Sequence, residues 1–228
     1  MPEEDESIEE LFEGGLKIIQ NKSLYRFTSD SILLTRFVKA KKGEVVADFC
    51  AGSGIVGLHF YGLNPNVKSV TLFELQSDLS QMSARSLELN GLTNFSVVCT
   101  PVQQIGAEYN EYFSLILCNP PYERGGFAKE EYKKAICRKE ITLTLPELVD
   151  AAYRKLKFGG RFALVHRADR LAEVLYCLKN RGIEPKRLQF VRGKEGAVPY
   201  LILVEGTKGA KEGIEILPDA INVRRDHF

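Results

Sequence analysis

Val45-Val46-Ala47-Asp48-Phe49-Cys50-Ala51-Gly52-Ser53-Gly54-Ile55-Val56-Gly57 is the stretch that decides the fold. Opened at Glu44, its first half, to Phe49, is an apolar run of strand length. Its second half is punctuated by glycine and leads into an apolar helix to about Tyr61. Gly52, Gly54 and Gly57 spell G-x-G-x-x-G, the spacing at which a strand turns tightly into a helix and presents backbone N–H groups to a ligand. A second strand, Lys68 to Phe73, ends in Glu74, about twenty residues past the glycines, where a carboxylate takes both hydroxyls of a ribose. A glycine pattern alone is weak; strand, turn, helix, strand and acid in this order are strong.

The remainder of the chain continues the alternation. Ser77 caps a helix ending at Asn90-Gly91, and Phe95 to Cys99 and Phe113 to Cys118 are further strands. Thr144-Leu145-Pro146-Glu147 is a capping box that opens a helix ending at Gly159-Gly160. Phe162 to Val165 is a fifth strand, a helix runs from Arg170 to about Arg181, and Arg187 to Val191 pairs with Tyr200 to Glu205 across a Gly-Lys-Glu-Gly turn. This order predicts an α/β fold, a Rossmann-like doubly wound sheet of seven strands with one antiparallel strand. A chain of 228 residues fills one such domain and not two. The domain is expected over 16–228, with 16–43 covering the cofactor, after an acidic leader at 1–15 read as a frayed tail.

Two nucleotide cofactors fit the first half of the chain, a dinucleotide and S-adenosylmethionine. Asp48 separates them. A carboxylate at the strand end repels a pyrophosphate and attracts the α-ammonium of a methionine moiety, so Asp48 favours S-adenosylmethionine. Asp48, Ala51, Gly52, Gly54 and Glu74 are the candidate cofactor residues, and Gln103 is placed to meet an adenine. Near the start, Tyr25-Arg26-Phe27-Thr28-Ser29-Asp30 precedes a helix from Ser31 to Lys39. Capping alone explains Thr28 and Asp30.

Leu115-Ile116-Leu117-Cys118-Asn119-Pro120-Pro121-Tyr122 carries the chemistry. The apolar run is a buried strand, and the two prolines stop it because they lack the N–H that a ladder needs. Asn119 therefore stands at the strand's C-terminal lip, where open α/β sheets bind ligands. An exocyclic amine such as adenine N6 is a poor nucleophile because its lone pair is delocalised into the ring. The Asn119 side-chain oxygen and the Pro120 carbonyl would accept its two N–H bonds and stabilise the positive charge that grows on nitrogen during attack. Tyr122 would hold the ring by stacking, which needs the ring and not the hydroxyl. A bare Pro-Pro after a strand would be read as a turn and no more; the upstream cofactor loop is what favours the functional reading.

Composition narrows the partners. The first thirteen residues carry seven acids and no Lys or Arg, which leaves 31 basic against 23 acidic residues in the rest. That basic excess suits a polyanion, although a solvated surface explains charge as well. A glycine-softened loop, Glu123 to Ala128, and a basic helix with Lys129, Lys133, Lys134, Arg138 and Lys139 follow Tyr122 and are candidates for a lid and an RNA contact. The five cysteines are scattered without a Cys-x-x-Cys pair, which argues against zinc and disulfides; no metal is expected. No apolar run approaches a membrane span and the acidic start is the opposite of a signal peptide, so a cytoplasmic protein without a membrane partner is expected. His166, alone at a strand end, reads as structural.

From roughly Leu16 to Lys208 the chain resembles class I S-adenosylmethionine-dependent methyltransferases, and among them the bacterial tRNA adenine-N6 methyltransferases that modify the adenine beside the anticodon of a valine tRNA. The resemblance is carried by Tyr25 to Ser31, Asp48 to Gly54, Asn119 to Tyr122, Gly160 to Val165 and Gly182 to Leu188. It implies that Asp48, Gly52, Gly54 and Glu74 hold S-adenosylmethionine, that Thr28 and Asp30 close over it, and that Asn119, Pro120, Pro121 and Tyr122 hold the target amine of a tRNA. Pro101 stands where the family often has an adenine-binding Asp, and Ser114 where an Asp commonly precedes the motif. Methylation of rRNA, DNA or a protein glutamine is the nearest alternative. Release-factor glutamine methyltransferases, however, resemble chains with a helical domain ahead of the cofactor strand, and DNA adenine methyltransferases usually add a recognition domain. A non-catalytic RNA-binding domain or an NAD-dependent oxidoreductase would be a different class.

Overall fold

The computed structural model describes residues 3, 5–11, 15–22, 29–122 and 143–222. Thr28, the loop from Glu123 and the basic helix from Lys129 to Lys139 lie outside these residues. The described elements begin with a hairpin, β1 (Glu6–Glu10) and β2 (Lys17–Asn21), and a helix, α1 (Ser29–Phe37). The alternating body follows: β3 (Val45–Phe49), α2 (Ile55–Leu63), β4 (Ser69–Glu74), α3 (Ser77–Leu89), β5 (Phe95–Cys99) and β6 (Phe113–Cys118). After the motif come α4 (Leu145–Lys155), β7 (Leu156–Arg167), α5 (Leu171–Arg181), β8 (Ile183–Arg192) and β9 (Leu201–Lys208). Two-residue strands β10 (Glu215–Ile216) and β11 (Ala220–Ile221) close the described chain along β8.

The sheet order is β10-β8-β9-β7-β6-β3-β4-β5, with β9 antiparallel to both β7 and β8 and the remaining pairs parallel. This is the expected doubly wound α/β sheet, with nine strands among the described residues in place of seven because the two-residue β10 and β11 add to its edge along β8. Alternation of side chains along each strand builds two cores, one on each face. Ala47, Phe49, Ile116 and Cys118 face α4 and α5, while Val46, Leu115 and Leu117 face α1 and α2. The chain runs outward from β3 through β4 to β5 and then returns to β6 on the other side of β3. The crevice at the C-terminal ends of β3 and β6 is therefore the topological switch point, the place where such sheets bind ligands.

Several local expectations change. The acidic leader read as a tail contains β1, paired antiparallel with β2 in register Ile8 to Ile19. Glu6 is the reason. Its carboxylate takes both guanidinium branches of Arg85 on α3, at 2.8 and 2.6 Å, while the Ile19 amide donates to Ser86 Oγ at 3.0 Å. Gly159 and Gly160 do not end a helix; α4 stops at Lys155, and both glycines lie inside β7. A Cβ at Gly160 would meet the Lys157 carbonyl at 2.8 Å, so the strand needs glycine for close approach. Lys155 is buried, with Nζ donating to the Gly106 carbonyl at 2.8 Å and to Asn110 Oδ1 at 2.7 Å. β8 starts four residues before the expected Arg187 and accommodates Pro185 at a shift in register.

Candidate active site

The register of the central strands assembles the site. Phe49 is the partner of both Cys118 and Phe73, so Cys50 and Asn119 leave the sheet beside Glu74, the last residue of β4. The turn after β3 bends because Cys50, Gly52 and Gly54 adopt left-handed backbone, at φ 57°, 57° and 84°. Two of these are glycines, for which the conformation is free of steric cost; at Cys50 it is not. Cys50 thus shapes the turn and was missed by the G-x-G-x-x-G spacing, which begins two residues later. Gly57 serves another need: a Cβ there would meet Leu72 Cδ2 at 2.5 Å, so it lets α2 lie close against β4.

Asp48 is fully buried beneath this turn. Its Oδ2 accepts the Gly57 amide at 2.9 Å, and its Oδ1 has no hydrogen-bond partner. Ser53 Oγ in the turn is likewise buried without a partner. Glu74 is buried as well, with Oε2 accepting the Gly52 amide at 2.7 Å and Oε1 the Gln76 amide at 2.8 Å. Those two bonds lock the carboxylate against the glycine turn, and the Ala51 amide is tied to the Phe73 carbonyl at 3.0 Å. Burial, with the negative charge of Glu74 adding to it, pushes Asp48 up to about 8. Burial also raises Glu74, against the lowering effect of its backbone bonds. Two buried carboxylates make a pocket suited to a cation with hydroxyl groups and hostile to a pyrophosphate.

The second half of the site is held from α1. Asn119 Nδ2 donates to Ser31 Oγ at 3.0 Å, and the Tyr122 hydroxyl donates to Asp30 Oδ2. Asp30, a candidate for closing over the cofactor, thus meets the Asn-Pro-Pro-Tyr turn through Tyr122. Pro120 is buried, and Pro121 and Tyr122 are half-buried. The His166 ring at the end of β7 lies 5.6 Å from that of Tyr122, so the residue read as structural backs the aromatic platform. Gln103, in a short turn after β5, hydrogen-bonds Glu147 of the α4 capping box, whose carboxylate also accepts the Thr144 amide at 2.8 Å. Leu75, following Glu74, is an exposed aliphatic at the same lip. Ser114 is remote: its Oγ bonds the Val45 amide and carbonyl, at 3.0 and 3.2 Å, at the opposite end of β3. Its departure from the acidic pattern therefore falls on strand pairing and leaves the cofactor pocket alone. Arg187, the expected start of the strand after α5, is used inside the fold, with its guanidinium over the Phe37 ring at 4.7 Å and on the Phe37 carbonyl at 3.2 Å.

A family model, the methyltransferase small domain, matches residues 26–180. The chain belongs to that family. It is an S-adenosylmethionine-dependent methyltransferase. Among curated relatives, a protein of Shewanella sp. (strain MR-4) named tRNA1(Val) (adenine(37)-N6)-methyltransferase is 25% identical over 171 residues, covering 74% of this chain and 72% of the relative. A protein of the same name from Parabacteroides distasonis is 21% identical over 186 residues, covering 81% and 78%. Among solved structures, one from Agrobacterium tumefaciens described as a predicted O-methyltransferase superposes with a TM-score of 0.68 at 20% identity, covering 87% of this chain and 90% of that one. The TYW2 protein of M. jannaschii in complex with AdoMet superposes with a TM-score of 0.63 at 16% identity, covering 91% and 87%. These structural likenesses show the fold.

The pocket fits that cofactor. The orphaned Asp48 Oδ1 is an acceptor awaiting a donor, the turn beside it bends through left-handed backbone at Gly52 and Gly54, and Glu74, about twenty residues past the glycines, is held rigid against that turn. Among the described residues no group of three or more His, Cys, Asp or Glu side chains is placed to hold a metal ion, and no helix is long and apolar enough to cross a membrane.

Proposed function

We propose that this protein methylates the exocyclic N6 of an adenine in the anticodon loop of a tRNA. The observation that carries this reading is the juxtaposition of the Asn119 turn with the Asp48 and Glu74 pocket, on the ends of the neighbouring strands β6, β3 and β4. The naming of the curated relatives as adenine-N6 tRNA methyltransferases supports the choice of amine and of RNA.

Bound S-adenosylmethionine supplies an electrophilic methyl on a sulfonium. Asp48 Oδ1 would take the ammonium of the methionine moiety, and Glu74 would take the ribose hydroxyls beside the Gly52 and Gly54 turn. Asn119 Oδ1 and the Pro120 carbonyl accept the two N6–H bonds, turning the nitrogen lone pair out of the adenine ring toward the methyl group. Both acceptors gain strength as positive charge develops on nitrogen, which is why they accelerate the step instead of merely binding the base. Tyr122 stacks on the adenine, steadied by Asp30 and His166. On transfer the methyl–sulfur bond would break with its electron pair staying on sulfur, leaving S-adenosylhomocysteine; no strong base is needed, because the alkylated amine is acidic and would lose its proton to water. A base in an anticodon loop is already partly unstacked, so its presentation at the lip costs less than extrusion from a duplex. A tRNA substrate places the enzyme in the cytoplasm.

Mass spectrometry of tRNA nucleosides from cells with and without the protein tests this. Loss of N6-methyladenosine from one tRNA species on deletion is the expected result. An unchanged nucleoside profile with a change in rRNA, DNA or protein glutamine methylation would move the substrate to another amine.

A further inference from the structure

We infer that Ser31 is a positioning residue for methyl transfer, acting through the amide of Asn119. The inference rests on the proposed amine chemistry and adds to it the element that orients its key acceptor.

An asparagine amide has two ends of similar shape and opposite hydrogen-bonding sense. For Asn119 to accept an N–H from the target amine, Oδ1 must face the ligand and Nδ2 must face away. Nothing in the strand or in the prolines settles which end points where, since rotation about the last side-chain bond exchanges them. In this structure Nδ2 donates to Ser31 Oγ at 3.0 Å, and Oδ1 accepts no bond from any described residue. Ser31 is itself buried, at 2% exposure, so water does not compete for the contact. The serine hydroxyl, which can donate as well as accept, holds the amide against α1, and in the arrangement seen, with Nδ2 on the serine, the oxygen is the end presented.

The support behind Ser31 is rigid. It stands in the first turn of α1, which is fastened at three further points. At its C-terminal end the Phe37 carbonyl accepts from Arg187 at 3.2 Å. On its inner face Thr35 Oγ1 meets His59 Nδ1 of α2 at 2.7 Å. At its start Ser29 Oγ accepts from Asn222 Nδ2 at 3.0 Å, bringing the last described turn of the chain onto the helix. Asp30, adjacent to Ser31, holds the Tyr122 hydroxyl. Two consecutive residues of one clamped helix therefore fix both side chains assigned to the target base, the hydrogen-bonding acceptor and the stacking ring. A group placed so that a reacting partner needs no reorganisation acts on turnover more than on binding.

The test is a double-mutant cycle on turnover. Wild type, Ser31→Ala, Asn119→Ala and the double variant are assayed with radiolabelled S-adenosylmethionine and an unmodified valine tRNA transcript, with enzyme in excess for the slow variants. Thermal midpoint and cofactor affinity are measured for all four. Ser31→Ala is expected to lower the turnover rate by roughly tenfold with the tRNA Michaelis constant and cofactor affinity within about twofold, and to have less than about a twofold effect once Asn119 is already alanine. Ser31→Thr, which keeps the hydroxyl, is expected to recover most of the rate. Equal losses in both backgrounds would mean that Ser31 only supports the fold, and a turnover rate unchanged by Ser31→Ala would mean that it does not orient the amide; either result overturns the inference alone. A wild type that transfers no methyl to adenine N6 would overturn the proposed function, and this inference with it.

Discussion

The two halves of the site are built in opposite ways. The cofactor half is local: Asp48, Gly52, Gly54 and Glu74 fall within two strand ends and one turn, and their mutual bonds, such as the Gly52 amide on Glu74 at 2.7 Å, join strands that are sheet neighbours. The base half is assembled at long range. Asn119 and Tyr122 depend on Ser31 and Asp30, which lie 88 and 92 residues earlier in the chain. A turn imposes its own geometry on the residues within it, whereas a side-chain brace exists only after the whole sheet has formed. The first half also stores electrostatic cost in two buried carboxylates, while the second is neutral at its acceptor amide.

That difference predicts separable failures. The largest effect belongs to the base half. Asn119→Ala is expected to lower the turnover rate by about a hundredfold or more while cofactor affinity stays within a few fold, as measured by rapid quench and calorimetry. A loss in cofactor affinity of the same size as the loss in rate would merge the two halves into one.

Next comes Asp48→Asn in the cofactor half. Removing a charge-assisted bond of about 2 kcal/mol weakens S-adenosylmethionine binding by about thirtyfold. The ligand-free protein, in contrast, should lose no stability. An acid raised from 3.8 to about 8 in the folded protein contributes stability that is fully present below pH 3.8 and lost as pH rises toward 8, and the amide never meets that penalty. The same shift sets a pH dependence. Below about pH 8 Asp48 must release a proton to pair with the methionine ammonium, so cofactor affinity should climb as pH rises from 6 to 8 and decline above it as the ammonium itself deprotonates. Calorimetry in buffers of different ionisation enthalpy reads that released proton. A flat profile in the wild type would show that Asp48 does not meet the ammonium.

Tyr122→Phe sharpens the comparison at smaller scale. The sequence suggests that only the ring matters, yet the hydroxyl is tied to Asp30. A rise of about fivefold in the tRNA Michaelis constant, with the turnover rate little changed, is the expected reading. Tyr122→Ala should be more severe. Equality of Phe and wild type would leave the Asp30 contact without consequence for the base.

The smallest effect is in the glycine turn. Cys50 occupies left-handed backbone at φ 57°, so Cys50→Gly should stabilise the fold by about 1 kcal/mol, less the added freedom of the unfolded glycine, and raise the thermal midpoint by about 2 °C. A lower midpoint would mean that the packing of the Cys50 side chain between the core and Cys118 outweighs its backbone strain.

The contrast also explains what was legible beforehand. The succession of elements along the chain, the closing antiparallel pair and the placement of Asp48, Glu74 and Asn119 at strand ends follow from hydrophobic period, glycine spacing and prolines, all of which act over a few residues. The β1–β2 hairpin was hidden because its acidic composition resembles a tail. Only the distant Arg85 turns Glu6 into a buried anchor, its side chain 3% exposed. Gly159 and Gly160 read as a helix stop, although in β7 Gly159 answers to left-handed backbone at φ 75° and Gly160 to close approach of the Lys157 carbonyl. Ser31 stood out only as the end of the Tyr25 to Ser31 stretch and the start of a helix, with nothing to tie it to Asn119, and the place of Arg187 at a strand start did not reveal its contacts with Phe37 and Glu205.

The most direct measurement is methyl transfer by the purified protein. Radiolabelled S-adenosylmethionine, an unmodified valine tRNA transcript and the same transcript with its adenine beside the anticodon replaced by guanine are incubated with wild type and Asn119→Ala, and the products are digested to nucleosides. Label recovered as N6-methyladenosine from the first transcript, absent from the second and reduced by about a hundredfold with Asn119→Ala, is the predicted result. Label in any other nucleoside, or full transfer by Asn119→Ala, would contradict the assignment of Asn119 as the acceptor that makes adenine N6 reactive.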